Sequence, residues 1–346
     1  MATRFFDWQV YSVFNRDLWY NNIRSNEQLI EHWKNNGRKE QNRITYLTTD
    51  NLEKYNMYLD NNPDLKKADR LYSLNAYYEY LIKKSNIAVI IHLGDINMWN
   101  EFDNYLRQMN NILFDLWITI PIINIKNKGA INDIKDTIIK TYNLANVLII
   151  PNEGFDVGGF FYAFKNIIDQ DKKYDYILKI QTKSDEEWRK GMISSYVNNY
   201  INILNKFKTD SSIGMVGCNP RIIKSQNEIA ESIRNKAHMN IILEHLNIKN
   251  NNYTYVSGTM FWVKASIFYD VFNKESIDWF ISKLNNNCTY DRNWMNFNKE
   301  NKIGNILWSN IGNSSKYIRD GMFEHACERV FGIIVTNAGY KIGAIS

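Results

Sequence analysis

Residues Pro151–Arg189 read PNEGFDVGGFFYAFKNIIDQDKKYDYILKIQTKSDEEWR, and the order of their parts decides the fold class. A polar loop is followed by a helix, a buried strand and a second polar loop. The strand Tyr176–Ile180 runs straight into Gln181-Thr182-Lys183-Ser184-Asp185, and open α/β sheets bind ligands at this carboxyl edge. Gly154, Gly158 and Gly159 let the first loop turn tightly or approach a ligand closely. The stretch predicts an α/β enzyme for a small polar or anionic substrate.

Outward from this stretch the alternation continues. Upstream, NIAVIIHL from Asn86 is an unbroken apolar run, as expected of a strand covered on both faces. A helix is expected over Met98–Asn111, then the strand FDLWITI, a helix around Ile131–Tyr142 and the strand NVLII ending at Pro151. Downstream come one long helix from Trp188 to about Phe207, the strand IGMVG, an irregular helical stretch near Glu228–Leu246, and a single strand YVSGTMFWV over Tyr255–Val263. Two helical pieces follow Ala265, then an Asn-rich loop over 285–313 and a last helix Asp320–Val335. Strands alternating with helices on this period imply right-handed crossovers and a mostly parallel sheet.

Residues 1–85 differ. They are rich in Tyr and Trp and lack strand patterns, which predicts a small helical accessory module ahead of an α/β domain over 86–346. Phe5–Gly37 and Leu52–Lys84 echo one another weakly: Tyr11 matches Tyr58, and Asn15-Arg16-Asp17-Leu18 matches Asn62-Pro63-Asp64-Leu65. A duplication and a plain pair of helical hairpins both account for this. Ser25 and Gln28 form a capping-box pattern.

Composition narrows the class. The 346 residues are 45% hydrophobic and 23% charged, ordinary for a globular protein with a proper core. Asn makes up roughly one residue in seven, far above ordinary usage; its AT-rich codons suggest an AT-rich bacterium or a giant virus. The net charge of +5 is spread out with no basic run, which argues against nucleic acid as a partner. Three cysteines without a CxxC pair, no apolar leader and no long apolar window predict a reducing, cytoplasmic setting without a membrane span, in host cytoplasm or virion if viral.

Four constellations carry chemistry. Asn152, Gly154 and Asp156 follow a buried strand; they contact a nucleoside, or Asn152 and Asp156 only cap the next helix. Thr182, Lys183 and Asp185 end the following strand. Lys183 suits a phosphate and Asp185 a metal or a sugar hydroxyl, the plain alternative being a solvated loop that opens a helix. Ser257 and Gly258 interrupt an apolar strand, where a glycine marks close approach of a ligand. Asp320 and Glu324 share a face at i, i+4, as do His325 and Arg329. A carboxylate at that place can serve as general base, or Asp320 can be an N-cap. His92, in a buried strand, reads as a satisfied core histidine.

Together these residues resemble the rhamnan synthesis F family, whose catalytic domain is similar to the nucleotide-sugar-binding GT-A fold. The resemblance rests on six collinear motifs over roughly 86–335: VIIHL, FDLWIT, PNEGFD, YDYILKIQTK…WR, GTMFW and DGMFEHACER. Gln181 stands where the family pattern has His, and the Asp-x-Asp metal pair of typical GT-A enzymes is not found at the end of that strand; QTKSD is the nearest stretch. The resemblance implies a glycosyltransferase that moves a sugar from a nucleotide-diphosphate donor to a glycan, glycolipid or glycoprotein acceptor, with inversion. It implies Asp320, or else Glu324, as base, and Asn152, Gly154, Asp156, Thr182, Lys183, Ser257, Gly258, His325 and Arg329 around the nucleotide sugar. Mn²⁺ or Mg²⁺ at Asp185 is the implied cofactor. A catalytically silent module that binds nucleotide sugar or glycan is the alternative reading.

Overall fold

The computed structural model describes residues 6–40, 43–83, 86–109, 112–123, 128–224, 235–249, 253–285 and 322–345. Its N-terminal part is helical: α1 (Trp8–Phe14), α2 (Arg16–Tyr20), α3 (Asn26–His32), one π turn over Trp33–Gly37, α4 (Thr49–Asp60), α5 (Pro63–Lys67) and α6 (Arg70–Lys83). Ser25 and Gln28 close the capping box at the start of α3. The two Asn turns share one geometry. Asn15 (φ −121°, ψ 69°) and Asn62 (φ −135°, ψ 72°) precede α2 and α5. Each side-chain amide donates back to the carbonyl of the matched tyrosine, Asn15 to Tyr11 at 2.8 Å and Asn62 to Tyr58 at 2.7 Å. In both units the amide takes up a carbonyl that the ended helix leaves unpaired.

The remainder is a three-layer α/β structure. Nine strands are described: β1 (Ile87–His92), β2 (Asp115–Ile122), β3 (Asn146–Pro151), β4 (Tyr176–Gln181), β5 (Ile213–Cys218), β6 (Ile222–Lys224), β7 (Thr254–Val256), β8 (Phe261–Lys264) and β9 (Lys341–Ile345). Seven make the central sheet, in the order β3-β2-β1-β4-β8-β5-β9, while β6 and β7 form a separate antiparallel ribbon. Every pairing in the central sheet is parallel except those of β8, which runs antiparallel to β4 and β5. A mostly parallel sheet flanked by helices, with helices ahead of it, is the arrangement of a GT-A-like fold.

The helices of this part are α7 (Trp99–Gln108), α8 (Lys128–Thr141), α9 (Phe155–Asp169), α10 (Glu186–Asn198), α11 (Tyr200–Thr209), α12 (Lys236–His245), α13 (Ala265–Tyr269), α14 (Lys274–Ser282) and α15 (Phe323–Asn337). Two cores follow from the period-two alternation of the strands. Ala88, Ile90, Trp117, Ile177, Phe261 and Val263 face a cluster with α9, α12 and α15. Their neighbours Val89, Ile91, Leu116, Ile118, Leu178, Ile180 and Trp262 face the opposite cluster with α7, α8, α10 and α11.

The structure corrects five expectations. YVSGTMFWV is two strands, β7 and β8, joined by a turn that contains Ser257 and Gly258. The expected long helix breaks at Asn199 into α10 and α11. The helix after PNEGFD, expected over Gly158–Asp169, begins at Phe155. The last helix starts after an N-cap at Met322, so Asp320 is not that cap. The strands β6 and β9 were not expected at all. Asp320 and the Asn-rich stretch 286–313 lie outside the described residues, as does Cys288, while Cys218 and Cys327 are buried free thiols. Among the described residues no helix is long and apolar enough to cross a membrane.

Helix α15 lies hard against β7 through Gly332, where an added Cβ would fall 2.0 Å from the Thr254 carbonyl oxygen and 2.8 Å from the Tyr255 Cα. Backbone cannot give way as a flexible side chain would. Gly332→Ala is therefore expected to destabilise the fold by ~1–3 kcal/mol, read as a lower urea midpoint at unchanged slope.

Candidate active site

Three strand ends place a polar row on one face of the sheet. His92 of β1 is in register with Thr119 of β2 and with Gln181 of β4. All three side chains point toward α9, and His92 Nδ1 lies 3.1 Å from Thr119 Oγ1. Burial lowers the His92 imidazole to about 4, so it is neutral at physiological pH, a satisfied core histidine.

Lys179, two residues before Gln181 and on the same face, is the centre of the site. Its ammonium is 1% exposed and lies 2.8 Å from each of Asp156 Oδ2, Gln181 Oε1 and the Thr259 carbonyl oxygen. Three donors thus meet three acceptors, the condition for burying a lysine charge. Gln181 Nε2 in turn donates to the Gly258 carbonyl at 2.7 Å and to Thr259 Oγ1 at 3.0 Å. The Thr259 hydroxyl also bonds Asp156. Burial alone would raise the Asp156 carboxyl; the charge and hydrogen bond of Lys179, with the Thr259 hydroxyl, outweigh it and hold the group below the usual carboxylate range.

The two loops joined here are both in unusual backbone. Gly154 and Phe155 have φ of 68° and 51°, and Gly258 and Thr259 have φ of 89° and 53°. Left-handed residues other than glycine cost of order 1–3 kcal/mol and persist only where surroundings over-determine them. A Cβ at Gly258 would also lie 2.2 Å from the Trp188 ring.

The loop after β4 is fixed from below. Thr182 Oγ1 accepts the backbone N–H groups of Gly94 at 2.9 Å and Asp95 at 3.2 Å, tying it to the end of β1. Arg189, 4% exposed, forks onto Glu101 at 3.0 and 2.8 Å and donates to the Lys183 carbonyl. Lys183 Nζ then lies 3.6 Å from the centroid of the Trp188 ring, whose neighbour Arg221 has its Cζ at 4.8 Å. Two cations on one aromatic ring explain a lysine placed just ahead of a helix N-terminus, against the dipole. Arg221 also receives the Ser257 N–H on its carbonyl at 2.7 Å.

Asp185 caps α10, with Oδ1 accepting from Trp188 N at 3.0 Å. Among the described residues no group of three or more His, Cys, Asp and Glu side chains could hold a metal ion.

Helix α15 closes the site with acids. Glu324 is 4% exposed. Its Oε1 accepts from Asn285 N at 2.7 Å, while Oε2 is buried with no hydrogen-bond partner among the described residues. Burial raises its carboxyl above the ordinary value, and the charge of Asp156 adds to the shift over the opposing backbone hydrogen bonds. The Asn285 carbonyl accepts from Gly154 N at 3.0 Å, so one residue connects α15 to the Asn152 loop. Glu328 bonds the Gly258 N–H and, at 2.7 Å, Arg329. Arg329 donates to the His325 carbonyl at 2.9 Å and lies 4.9 Å from the Tyr255 ring. The Met322 N–H donates to His325 Nδ1 at 3.3 Å.

Of the expected site residues, the structure brings Asp156, Gly258 and, through Asn285, Gly154 and Glu324 together around Lys179. Lys183 and Ser257 sit beside them at Trp188 and Arg221, and Asn152 is half-buried on the β3–α9 loop. Arg329 packs on Tyr255, and Asp320 lies outside the described residues. Sequence reading missed Lys179, Thr259, Glu328 and Arg221. The first had a signal: one lysine inside an otherwise apolar, doubly covered strand must find a partner.

A family model described as rhamnan synthesis protein F matches residues 51–293. The chain belongs to that family. The match begins inside α4, ahead of the expected boundary at 85/86, and ends before DGMFEHACER. No curated protein and no solved structure matches the chain. Membership of the rhamnan synthesis protein F family implies a role in making rhamnan polysaccharide and, in general terms, a glycosyltransferase.

The buried pair yields a test of the site's architecture. Replacing Lys179 with Met leaves Asp156 without its counter-charge, and removing one partner of a buried pair costs ~3–5 kcal/mol. A double-mutant cycle with Asp156→Asn, followed by chemical denaturation, should return a large favourable coupling energy between the two positions. Additive losses would show that the pair is not the coupled unit described.

Proposed function

We propose that this member of the rhamnan synthesis protein F family transfers a sugar from a nucleotide-diphosphate donor to a glycan acceptor, with inversion by direct displacement, and that Glu324 is the base. The observation carrying this is the buried Glu324 carboxylate, whose Oε2 has no hydrogen-bond partner among the described residues and whose pKa is raised. An acid with one oxygen anchored by a backbone N–H, poised above the ordinary carboxylate range, suits proton abstraction from an acceptor hydroxyl. Asp320 is the alternative base.

Lys183 and Arg221 meet the diphosphate in this reading, and their charge serves the departing group. Asn152 binds the nucleoside from the β3–α9 loop. Asp156 has a double part, since the carboxylate that holds Lys179 is still 26% exposed on its side chain. Ser257 and Gly258 line the sugar pocket; Thr182 and Arg189 position the Lys183 loop. Support comes from the family match together with this grouping at the carboxyl edge of the sheet.

Glu324→Gln is expected to lower transfer by ~10²–10⁴-fold with donor binding retained, and Asp320→Asn to leave most of it. The reverse pattern would move the base to Asp320. Because the folded-state pKa of Glu324 is raised, its neutral form favours folding. That stabilisation is present below the unfolded value and is lost as pH rises through the folded one. Glu324→Gln should thus melt higher than the parent at neutral pH, while the parent's activity falls as pH drops through the raised pKa. Donor binding without turnover in the parent, over a panel of nucleotide sugars and acceptors, would indicate a silent binding module instead.

A further inference from the structure

A cavity of about 480 Å³ lies between the N-terminal helices and the sheet part, away from the candidate active site. It opens at the amino end of β2 and the loop before β3, whereas Lys179 and Glu324 sit at the carboxyl edge. A strand's length, roughly 20 Å, separates the two edges. We propose that this cavity is a second, non-catalytic binding site for a neutral saccharide chain. The inference rests on the family's glycan reading but not on the assignment of Glu324 as base.

Its volume is that of a small-ligand site, and its lining has two characters. Phe14, Leu106, Met109 and Leu116 give an apolar floor, and Trp19, Tyr72, Asn75, Glu79, Lys140 and Asn143 give a polar and aromatic rim. Tyr72 is 64% exposed, a large ring left in water at the mouth of a cavity.

The rim is pre-organised. Arg16 lies between the Trp19 and Tyr78 rings, its Cζ 5.6 and 4.8 Å from their centroids, and donates to Asn75 Oδ1 at 2.7 Å. Asn143 Nδ2 donates to Glu79 Oε1 at 2.9 Å, joining the β3 side of the cavity to α6. Charge selects the occupant. Asp17 is paired with Arg43 at 2.5 Å and Arg107 with Asp103 at 2.6 Å, and the other charges, on Arg16, Glu79 and Lys140, are of both signs. Such a rim does not select a phosphate or a carboxylate. It suits a molecule with C–H faces to lie on aromatic rings and hydroxyls that both donate and accept, which describes a sugar unit. For an enzyme that builds a polysaccharide, a second hold on the chain raises its effective concentration at the reacting end.

The test uses the full chain with rhamnan oligosaccharides of increasing length as probes, and calorimetric titration as the readout. Saturable binding that weakens about tenfold in Tyr72→Ala, the loss expected when one stacking ring is removed, is the predicted result. Tyr72 is at the surface, so the variant keeps its fold, and its donor hydrolysis should equal the parent's. Unchanged affinity in both Tyr72→Ala and Asn143→Ala would overturn the proposal, as would absence of binding by the parent at any length. Loss of binding in Arg221→Ala with none in Tyr72→Ala would place the chain at the carboxyl edge and overturn it too. Titration needs no turnover, so a failure of the catalytic reading leaves this outcome legible.

Discussion

One buried ammonium holds the site together. The Lys179 charge comes from β4, its counter-charge from the first turn of α9, and its third acceptor from the turn between β7 and β8. These elements belong to three stretches of chain, residues 155–169, 176–181 and 254–264, and nothing in their local propensities would bring them to one point. Burying the lysine does so, because the charge is tolerated only where all three acceptors arrive together. The left-handed residues of both loops follow from the same demand. Their backbone is held in unfavourable regions by the Asp156–Thr259 contact and by Gln181 on the Gly258 carbonyl.

The charges around this centre are divided. Asp156 belongs to α9 and Glu324 and Glu328 to α15, while Lys183 and Arg221 lie against the Trp188 ring. The proposed chemistry calls for such a division, since the leaving group must be stabilised as an anion while the acceptor loses a proton. The arrangement also explains why Arg189 is buried and bidentate. It holds the backbone that carries Lys183, a geometric task that a fork performs better than a point charge.

Most of the sheet was legible because β1 to β5 are apolar runs bounded by polar loops, the pattern of strands covered on both faces. The failures have physical causes. The turn Ser257–Met260 was hidden because three of its residues are small or apolar and continue the strand-like pattern on both sides. Asn199 breaks a helix between two stretches that each carry an apolar face, so periodicity alone joins them. The sequence KIGAI is short and carries a glycine, and β9 exists only because β5 offers it an edge. The site was half legible: Asp156, Lys183, Gly258 and Glu324 stand in motifs, but their roles differ from what loop position suggests. Asp156 is bound to a partner 23 residues away, and Thr182 ties loops rather than facing outward.

The antiparallel strand β8 has a consequence for how the chain assembles. β3, β2 and β1 pair only with strands of the first four, Ile87 of β1 closing onto Tyr176 of β4, and the other edge of β4 takes β8. β5 touches none of them. It reaches β4 only through β8, which lies more than forty residues further along, and its other neighbour is β9 at 341–345. The first four strands can therefore pair before β8 is made, while β5 waits with two open edges for partners that are synthesised later. Such edges are templates for mispairing. Assembly of the second half also delivers Thr259 to Lys179, and the site exists only once that stage is complete.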